Sequence, residues 1–458
     1  MGDRASMTEK SDTGNSSAFG GGRLRNVLIS ASGWSLGGHV LGQSLRFASN
    51  LILTRILFPE AFGLMAIVNS FLLALTMLSD IGISQSVIQN VRGEEIRFLD
   101  TAWTVQAVRG VALWIIAGSL AYPASALYGE SALFHLILVL SLSSLFLGFT
   151  SMSIHIWNRR LQQKRVVLLE LGSQAIAIAC TIGLSFYWRD VMALAVGGVV
   201  GAFAKMTASH LWSDLPPHRL AWDREASGSL FRFGRWIFLS SALGFMVSQG
   251  DRLILGGFLT MTELGLYAIA AFLSQAVLQI NNVLADRVLL ALYSRFGKIT
   301  TPTLVERVAK IRMTLMSAFL PPLCLLVVGG DLLIDLLYDD RYAGAGWILR
   351  ILSAGTIFTI VGQIGPVYFA RGESFIPLIA ISIRSAFLLC GMLIGWKIAE
   401  STGIIVAIAL SHVINFPLQV WISRRYDLWI PRLDLLGLGL SAAFIGGGML
   451  LRAHGIGS

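Results

Sequence analysis

The sequence predicts an all-α polytopic membrane protein: two six-helix lobes related by a pseudo-two-fold axis along the membrane normal, plus one extra C-terminal helix. Three observations carry this prediction. Of the 458 residues, 55% are hydrophobic and only 13% charged, where soluble domains carry roughly 25% charged residues. A helix–turn–helix segment recurs half a chain later. The basic residues alternate from loop to loop in the way that membrane topology requires.

The elements follow in order. Residues 1–22 are polar and rich in Gly and Ser, and no apolar core with a small-residue cleavage site follows them. They are expected to form a disordered cytoplasmic tail. A span needs about 20 mostly apolar residues. Candidates at 33–57, 62–83, 101–122, 131–153, 166–187 and 191–212 define an N-terminal lobe, 23–212. The polar connector 213–230 contains Pro216-Pro217. Candidates at 234–258, 264–287, 313–337, 346–369, 375–397 and 402–422 define a C-terminal lobe, 231–423. The final segment, 424–458, holds one more apolar run, 433–451, which either crosses the membrane or fails to insert.

The repeat is read between Leu53-Thr-Arg-Ile-Leu-Phe-Pro-Glu-Ala-Phe-Gly-Leu-Met-Ala-Ile67 and Leu255-Gly-Gly-Phe-Leu-Thr-Met-Thr-Glu-Leu-Gly-Leu-Tyr-Ala-Ile269. Gly63 falls on Gly265 at an offset of 202 residues (265 − 63), Leu57 on Leu259 and Phe62 on Leu264. In a membrane protein such duplication is a transporter signature.

With the N-terminus in the cytoplasm, the inner loops collect basic clusters such as Arg159, Arg160, Lys164 and Arg165, or Arg295, Lys298, Arg307, Lys310 and Arg312. The outer side receives only Arg189, Arg341, Lys397 and Arg452. The net charge of +9 is therefore read as the inside excess of a membrane protein rather than a nucleic-acid surface. Localisation follows as multi-pass, with a cytoplasmic N-terminus. An even number of helices per lobe makes the two lobes parallel repeats.

Pro321-Pro322, Pro366, Pro377 and Pro417 lie within spans, where each removes a backbone donor. Trp157, Tyr187, Trp188, Trp236, Tyr338 and Trp429 fall near predicted span ends, as interfacial anchors do. Gly197 and Gly201 form a small-xxx-small pair. Cys180, Cys324 and Cys390 stand alone in apolar runs, without metal or redox spacing.

A charge deep in a bilayer normally faces protein or water. On the first helix His39, Gln43, Arg46, Asn50 and Thr54 are spaced 4, 3, 4 and 4 apart, so they share one face with Arg46 near its middle. The eighth helix repeats the stripe with Gln275, Gln279, Asn282 and Asp286. Other buried ionisable groups are Arg109, Glu170, Lys205, Arg350, Arg384 and His412, and cations outnumber anions among them. The candidate substrate-binding residues are Arg46, His39, Gln43, Asn50, Arg350, Arg384, Gln275 and Gln279, lining a central cationic cavity for an anionic cargo. The competing reading is helix-to-helix pairing, for example Arg109 with Glu170. Asp80, Glu170, Asp251 and Asp286 are the ion-coupling or gating candidates, and His39 and His412 can titrate in a proton-coupled cycle.

No Walker A, HExxH or GxSxG motif is present, and the loops are too short for a soluble catalytic domain. The chain is read as a non-enzyme with no cofactor and no metal, using either H+ or Na+ as coupling ion. Asn15-Ser16-Ser17 matches a glycosylation acceptor but lies in the predicted cytoplasmic tail.

The segment Leu53 to Ala66 resembles the N-terminal signature of bacterial polysaccharide transporters, and Phe233-Gly-Arg-Trp through Gln249-Gly-Asp-Arg-Leu-Ile-Leu-Gly256 resembles the start of their second half. These are the Wzx-type oligosaccharide flippases, in the superfamily that includes the MATE exporters and the lipid II flippase. The resemblance covers roughly residues 30–425. It implies two six-helix lobes around a cationic cavity in a bacterial inner membrane. It implies alternating access that moves a polyprenyl-pyrophosphate-linked oligosaccharide to the periplasmic leaflet, for cell-surface or exopolysaccharide synthesis. The partners it implies are the lipid-linked glycan, membrane lipids, and the polysaccharide polymerase and export machinery. The alternative is a cation-coupled small-molecule exporter of the MATE type, which would place acidic residues where Arg46, Arg350 and Arg384 stand. A membrane-bound glycan ligase or polymerase would need a large outer loop that this chain lacks.

Overall fold

The computed structural model describes residues 20–228, 241, 244–245, 249–297, 299–371, 373 and 375–453. Most of the expected tail 1–22, and 12 of the 25 residues of the expected span 234–258, lie outside them. Every regular element among the described residues is helical. By length and composition nine of these helices can cross a membrane.

Helices α1 (Gly20–Ile56) and α2 (Pro59–Leu78) are separated by Leu57-Phe58. Pro59 sets this break. Its ring pushes Phe58 into extended geometry, φ −84° and ψ 159°, and it fills the first position of α2, where a missing N–H costs nothing. Two short helices were not anticipated, α3 (Ile83–Gln89) and α6 (Ser153–Arg159). The Arg159 guanidinium joins them by donating to the carbonyls of Val87 (2.8 Å), Ile88 (3.1 Å) and Asn90 (2.6 Å), which end α3. Between them run α4 (Ile96–Tyr128) and α5 (Ser131–Gly148); α7 (Gln163–Trp188) and α8 (Met192–Leu211) follow. The small pair of α8 sits where it packs on α7, Gly197 over Thr181 and Gly201 over Ala177.

The described part of α9 covers residues 249–256. Then come α10 (Met261–Phe296), α11 (Pro302–Leu337), α12 (Ala345–Val361) and the short α13 (Val367–Arg371). A capping box starts α10: Thr260 accepts from the Glu263 N–H and the Glu263 carboxylate accepts from the Thr260 N–H. The run α14 (Phe375–Arg425) is two helices joined at Ala399-Glu400, where the backbone leaves helical geometry. That hairpin matches the two expected spans 375–397 and 402–422. The last helix is α15 (Pro431–Ala453).

The repeat read in the sequence reappears in space. Helices α2 and α10 begin 202 residues apart (261 − 59) and pack against each other. A Cβ on Gly63 would lie 2.0 Å from the Met261 carbonyl oxygen, and a Cβ on Gly265 would lie 1.8 Å from that of Pro59. Each glycine thus meets the residue four positions before its counterpart, so the contact is reciprocal. A second reciprocal pair stands nearby. The Tyr128 hydroxyl, ending α4, donates to the Leu253 carbonyl (3.0 Å) in α9. The Tyr338 hydroxyl, just beyond α11, donates to Asn50 Oδ1 (3.0 Å) in α1. Arg55, Arg341 and Tyr342 add bonds between the α1–α2 turn and the α11–α12 connection. This end of the molecule is closed.

Helix α15 is tied into α11 and α12 at both of its ends. Near its start the buried Arg312 and Asp434 form an ion pair, and Arg312 also donates to the Val361 carbonyl (2.6 Å). Near its end Arg452 donates to Asp331 Oδ2 (3.0 Å) and the Val328 carbonyl (3.0 Å). The run 433–451 therefore lies alongside α11 over most of its length and shares its core with it.

Candidate functional site

Two polar pockets open beside one helix, α10, and most of the expected site residues fall into one or the other. The first, about 220 Å³, lies between α1, α7 and α10. His39 and Arg46 line it from α1, Glu170 and Gln174 from α7, and Arg287 from α10. The 3.6-residue period brings His39, Gly42 and Arg46 to one side of α1, and Gly42 leaves room for the Gln174 amide, which donates to its carbonyl (2.8 Å). Arg46 is exposed to the pocket and forms no ion pair or hydrogen bond among the described residues. Arg287 donates to the Ser32 carbonyl (3.2 Å) and the Ser35 hydroxyl (2.8 Å), so it bridges α10 to α1. The pocket's carboxylate, Glu170, stands 3.8 Å from the Lys205 ammonium. An apolar groove along α1 and α7 adjoins the pocket and shares Gly38, Val167 and Leu171 with it.

The second pocket, about 290 Å³, is enclosed by the described parts of α9, α10, α12 and α14. Gln249, Gln275, Gln279 and Asn282 present amides to it, and Arg384, His412 and Asp251 present ionisable groups. Asp251 Oδ2 accepts from the Tyr267 hydroxyl (2.5 Å), while its Oδ1 is buried without a partner among the described residues. His412 Nδ1 stands 3.1 Å from the Thr359 hydroxyl and 3.5 Å from an Arg384 guanidinium nitrogen. Since a guanidinium only donates, that ring nitrogen faces it as an acceptor. A partition between α1, which lines the first pocket, and Gln279 of the second is made by Gln43, whose Nε2 donates to Gln279 Oε1 (2.6 Å) and whose Oε1 is buried with no partner among the described residues.

The expected residues thus separate. His39 and Arg46 belong to the first pocket, Gln275, Gln279 and Arg384 to the second, and Gln43 to the partition. Asn50 lies towards the closed end, holding Tyr338. Arg350 lines neither pocket; its guanidinium donates to Asp331 Oδ2 (2.9 Å) and the Val327 carbonyl (3.0 Å), which anchors α12 to α11. The pairing of Arg109 with Glu170 is absent. Arg109 instead donates to the Thr76 carbonyl (2.6 Å) and the Ser79 hydroxyl (3.0 Å) at the end of α2. Of the acidic candidates, Glu170 and Asp251 line pockets, Asp80 accepts from the Gly82 N–H (2.9 Å) in the α2–α3 break, and Asp286 is exposed on α10.

Arg287 is the cavity residue that sequence reasoning placed at a span end. Helix α10 continues to Phe296, nine residues beyond the expected boundary at 287 (296 − 287), so Arg287 sits inside the helix. The signal was the spacing Asn282, Asp286 and the adjacent Arg287, which prolongs the polar stripe. Gln174 and Gln249 were also missed, because single amides in apolar runs carry little signal.

The family model described as Polysaccharide biosynthesis protein matches residues 52–346. The chain is 21% identical over 427 residues to the lipopolysaccharide biosynthesis protein WzxC of Escherichia coli (strain K12), covering 89% of this chain and 85% of that protein. It is 22% identical over 269 residues to the succinoglycan biosynthesis transport protein ExoT of Rhizobium meliloti (strain 1021), covering 58% and 53% respectively. Among solved structures, lipid II flippase MurJ in an inward closed conformation matches at a TM-score of 0.70 with 14% identity, over 91% of this chain and 93% of that one. An inward-facing multidrug resistance MATE family transporter matches at a TM-score of 0.65 with 14% identity, over 84% and 94%. These structural likenesses establish a shared fold.

Proposed function

This chain belongs to the polysaccharide biosynthesis protein family, and from that premise we propose that it flips a polyprenyl-pyrophosphate-linked oligosaccharide from the cytoplasmic to the periplasmic leaflet of a bacterial inner membrane. The transport works by alternating access of two six-helix lobes, 23–212 and 231–423, joined by the connector 213–230. The N-terminus is cytoplasmic, so the closed end described above is the periplasmic one. H+ or Na+ drives the cycle, with the carboxylates of Glu170 and Asp251 facing the pockets. The product is delivered to polymerase and export machinery.

The observation that carries this reading is the first pocket. It places Arg46, without a partner among the described residues, and Arg287 at one cavity between helices of both halves. Cations in a membrane-embedded cavity are costly unless an anion or water attends them. A pyrophosphate supplies at least two negative charges and oxygen pairs that fit guanidinium forks. The head group would cross at this cavity while the polyprenyl chain stays in lipid. An exporter of organic cations needs the opposite sign at this place.

The test is leaflet exchange of a pyrophosphate-linked glycolipid in proteoliposomes. Arg46→Ala should lower the rate by on the order of a hundredfold, the value of about two charge-assisted contacts. Arg46→Lys should keep part of the rate, since it keeps the charge and loses the fork. Unchanged exchange in correctly inserted Arg46→Ala protein would remove Arg46 from the path.

A further inference from the structure

We propose that the second pocket is a glycan subsite, built for an oligosaccharide that carries a carboxylate. The proposal rests on the flippase reading and names the chemistry of its cargo.

Four observations carry it. First, the pocket is lined by groups that both donate and accept: the amides of Gln249, Gln275, Gln279 and Asn282 and the hydroxyls of Ser274 and Thr356. Sugar hydroxyls also do both, and an amide fork is the usual complement to a vicinal pair of them. Second, two buried acceptor atoms on the pocket and its partition, Asp251 Oδ1 and Gln43 Oε1, have no donor among the described residues. A buried polar atom without a partner is costly, and a hydroxyl donor from a bound sugar satisfies it. Third, Arg384 forms no ion pair among the described residues; its guanidinium stands 3.5 Å from His412 Nδ1. Asp251, which also lines the pocket, holds Tyr267 through Oδ2 and makes no ion pair with Arg384. The guanidinium is therefore left for a carboxylate of the cargo, which it can hold through two parallel bonds.

Fourth, the two pockets are in register along α10. Asn282 faces the second pocket, and Val283 and Arg287 face the first. At 1.5 Å per residue, Asn282 and Arg287 lie about 7 Å apart along the axis, and Gln275 is about 18 Å from Arg287. A pyrophosphate beside Arg287 thus presents its first sugars to the amides of the same helix, through the Gln43–Gln279 partition. That hydrogen bond joins α1 to α10 and must open for the glycan to pass.

The test uses purified, detergent-solubilised full-length protein and three soluble probes, followed by calorimetry. The probes are inorganic pyrophosphate, the acidic disaccharide cellobiouronic acid and its neutral counterpart cellobiose. The wild type should bind the acidic disaccharide on the order of tenfold more tightly than cellobiose, the value of one charge-assisted contact. Arg384→Gln should reduce the acidic disaccharide to the cellobiose level, and Arg384→Lys should fall between. Pyrophosphate binding should persist in both variants, which also reports that they are folded. Equal binding of the two disaccharides by the wild type, or a preference that survives Arg384→Gln, overturns the proposal. So does a saturable sodium response that Asp251→Asn abolishes, with neither disaccharide bound, since the pocket is then a cation site. Loss of pyrophosphate binding from the wild type while the acidic disaccharide still binds would instead strike the flippase reading and leave the glycan subsite standing.

Discussion

Replacing Gly63 by alanine should push the two halves of the molecule apart where α2 crosses α10. The added Cβ would stand 2.0 Å from the Met261 carbonyl oxygen, and the equivalent atom on Gly265 would stand 1.8 Å from that of Pro59. Carbon and oxygen settle no closer than roughly 3.3 Å, so the helices must separate by roughly an ångström at this point. Both obstructing atoms are backbone, so no side chain can swing aside. Overpacking of this kind costs about 1–3 kcal/mol. Alanine's better helix propensity offsets about 1 kcal/mol of that. In a membrane, close packing is itself the main force between helices, which keeps the balance unfavourable. The two glycines share one crossing, so a single displacement relieves both clashes. The double variant Gly63→Ala/Gly265→Ala should therefore cost less than the sum of the single ones. Thermal loss of the monodisperse peak in detergent measures all three proteins. Single variants that melt with the wild type, or a strictly additive double variant, would show that the reciprocal crossing does not hold the halves together.

Three further outcomes follow from the geometry. Asp434→Ala leaves Arg312 buried without its carboxylate, which should destabilise the protein by about 3–5 kcal/mol; the pair Arg312→Met with Asp434→Leu should recover most of that in the same melting assay. The connector is docked through His218, whose Nε2 accepts the Met152 N–H (3.1 Å) while Nδ1 faces Asp100 at 3.5 Å. Burial pushes this imidazole below its ordinary range, against the opposing pull of Asp100, and the His210 ring adds to the lowering. A depressed folded value means that the docked state is fully stable above about pH 6.5, the unfolded value, and weakens as pH falls through the folded one. Proteolysis of the connector around Leu220 and Trp222 should therefore accelerate on acidification, and His218→Asn should remove that pH step. Tyr128→Phe and Tyr338→Phe each delete one of the reciprocal bonds at the closed end. Each should raise labelling of a cysteine introduced at Leu57 without lowering the amount of folded protein; equal labelling would exclude these tyrosines as ties.

What the sequence disclosed depended on how local the signal was. The end of the first span at Leu57, the Gly63–Gly265 echo and the two spans of α14 are written in short windows and appear where expected, whereas the second helix starts at Pro59, three residues before the expected 62. Helices α3 and α6 were missed because seven residues are too few for a periodic pattern. The length of α10 was underread because Asp286 and Arg287 ended the apolar window while the helix continued. Candidate site residues were found by burying charge in a span, a rule that marks cost without naming the partner. It could not separate Arg46, open to a pocket, from Arg350, neutralised by Asp331, because that difference depends on how α11 and α12 are rotated against each other. The same limit hid the partners of Arg109 and Glu170.

The decisive measurement is mass spectrometry of polyprenyl-linked lipids in cells that lack the gene, combined with leaflet-specific labelling. Early sugar transfer is restricted so that the cells survive. A pyrophosphate-linked glycan bearing a carboxylate should accumulate on the cytoplasmic side. The wild-type gene should clear it and the Arg46→Ala gene should not. If that pool is unchanged and the cells instead become sensitive to small toxic cations, the protein is an exporter, and the guanidinium-lined pocket serves something other than a pyrophosphate.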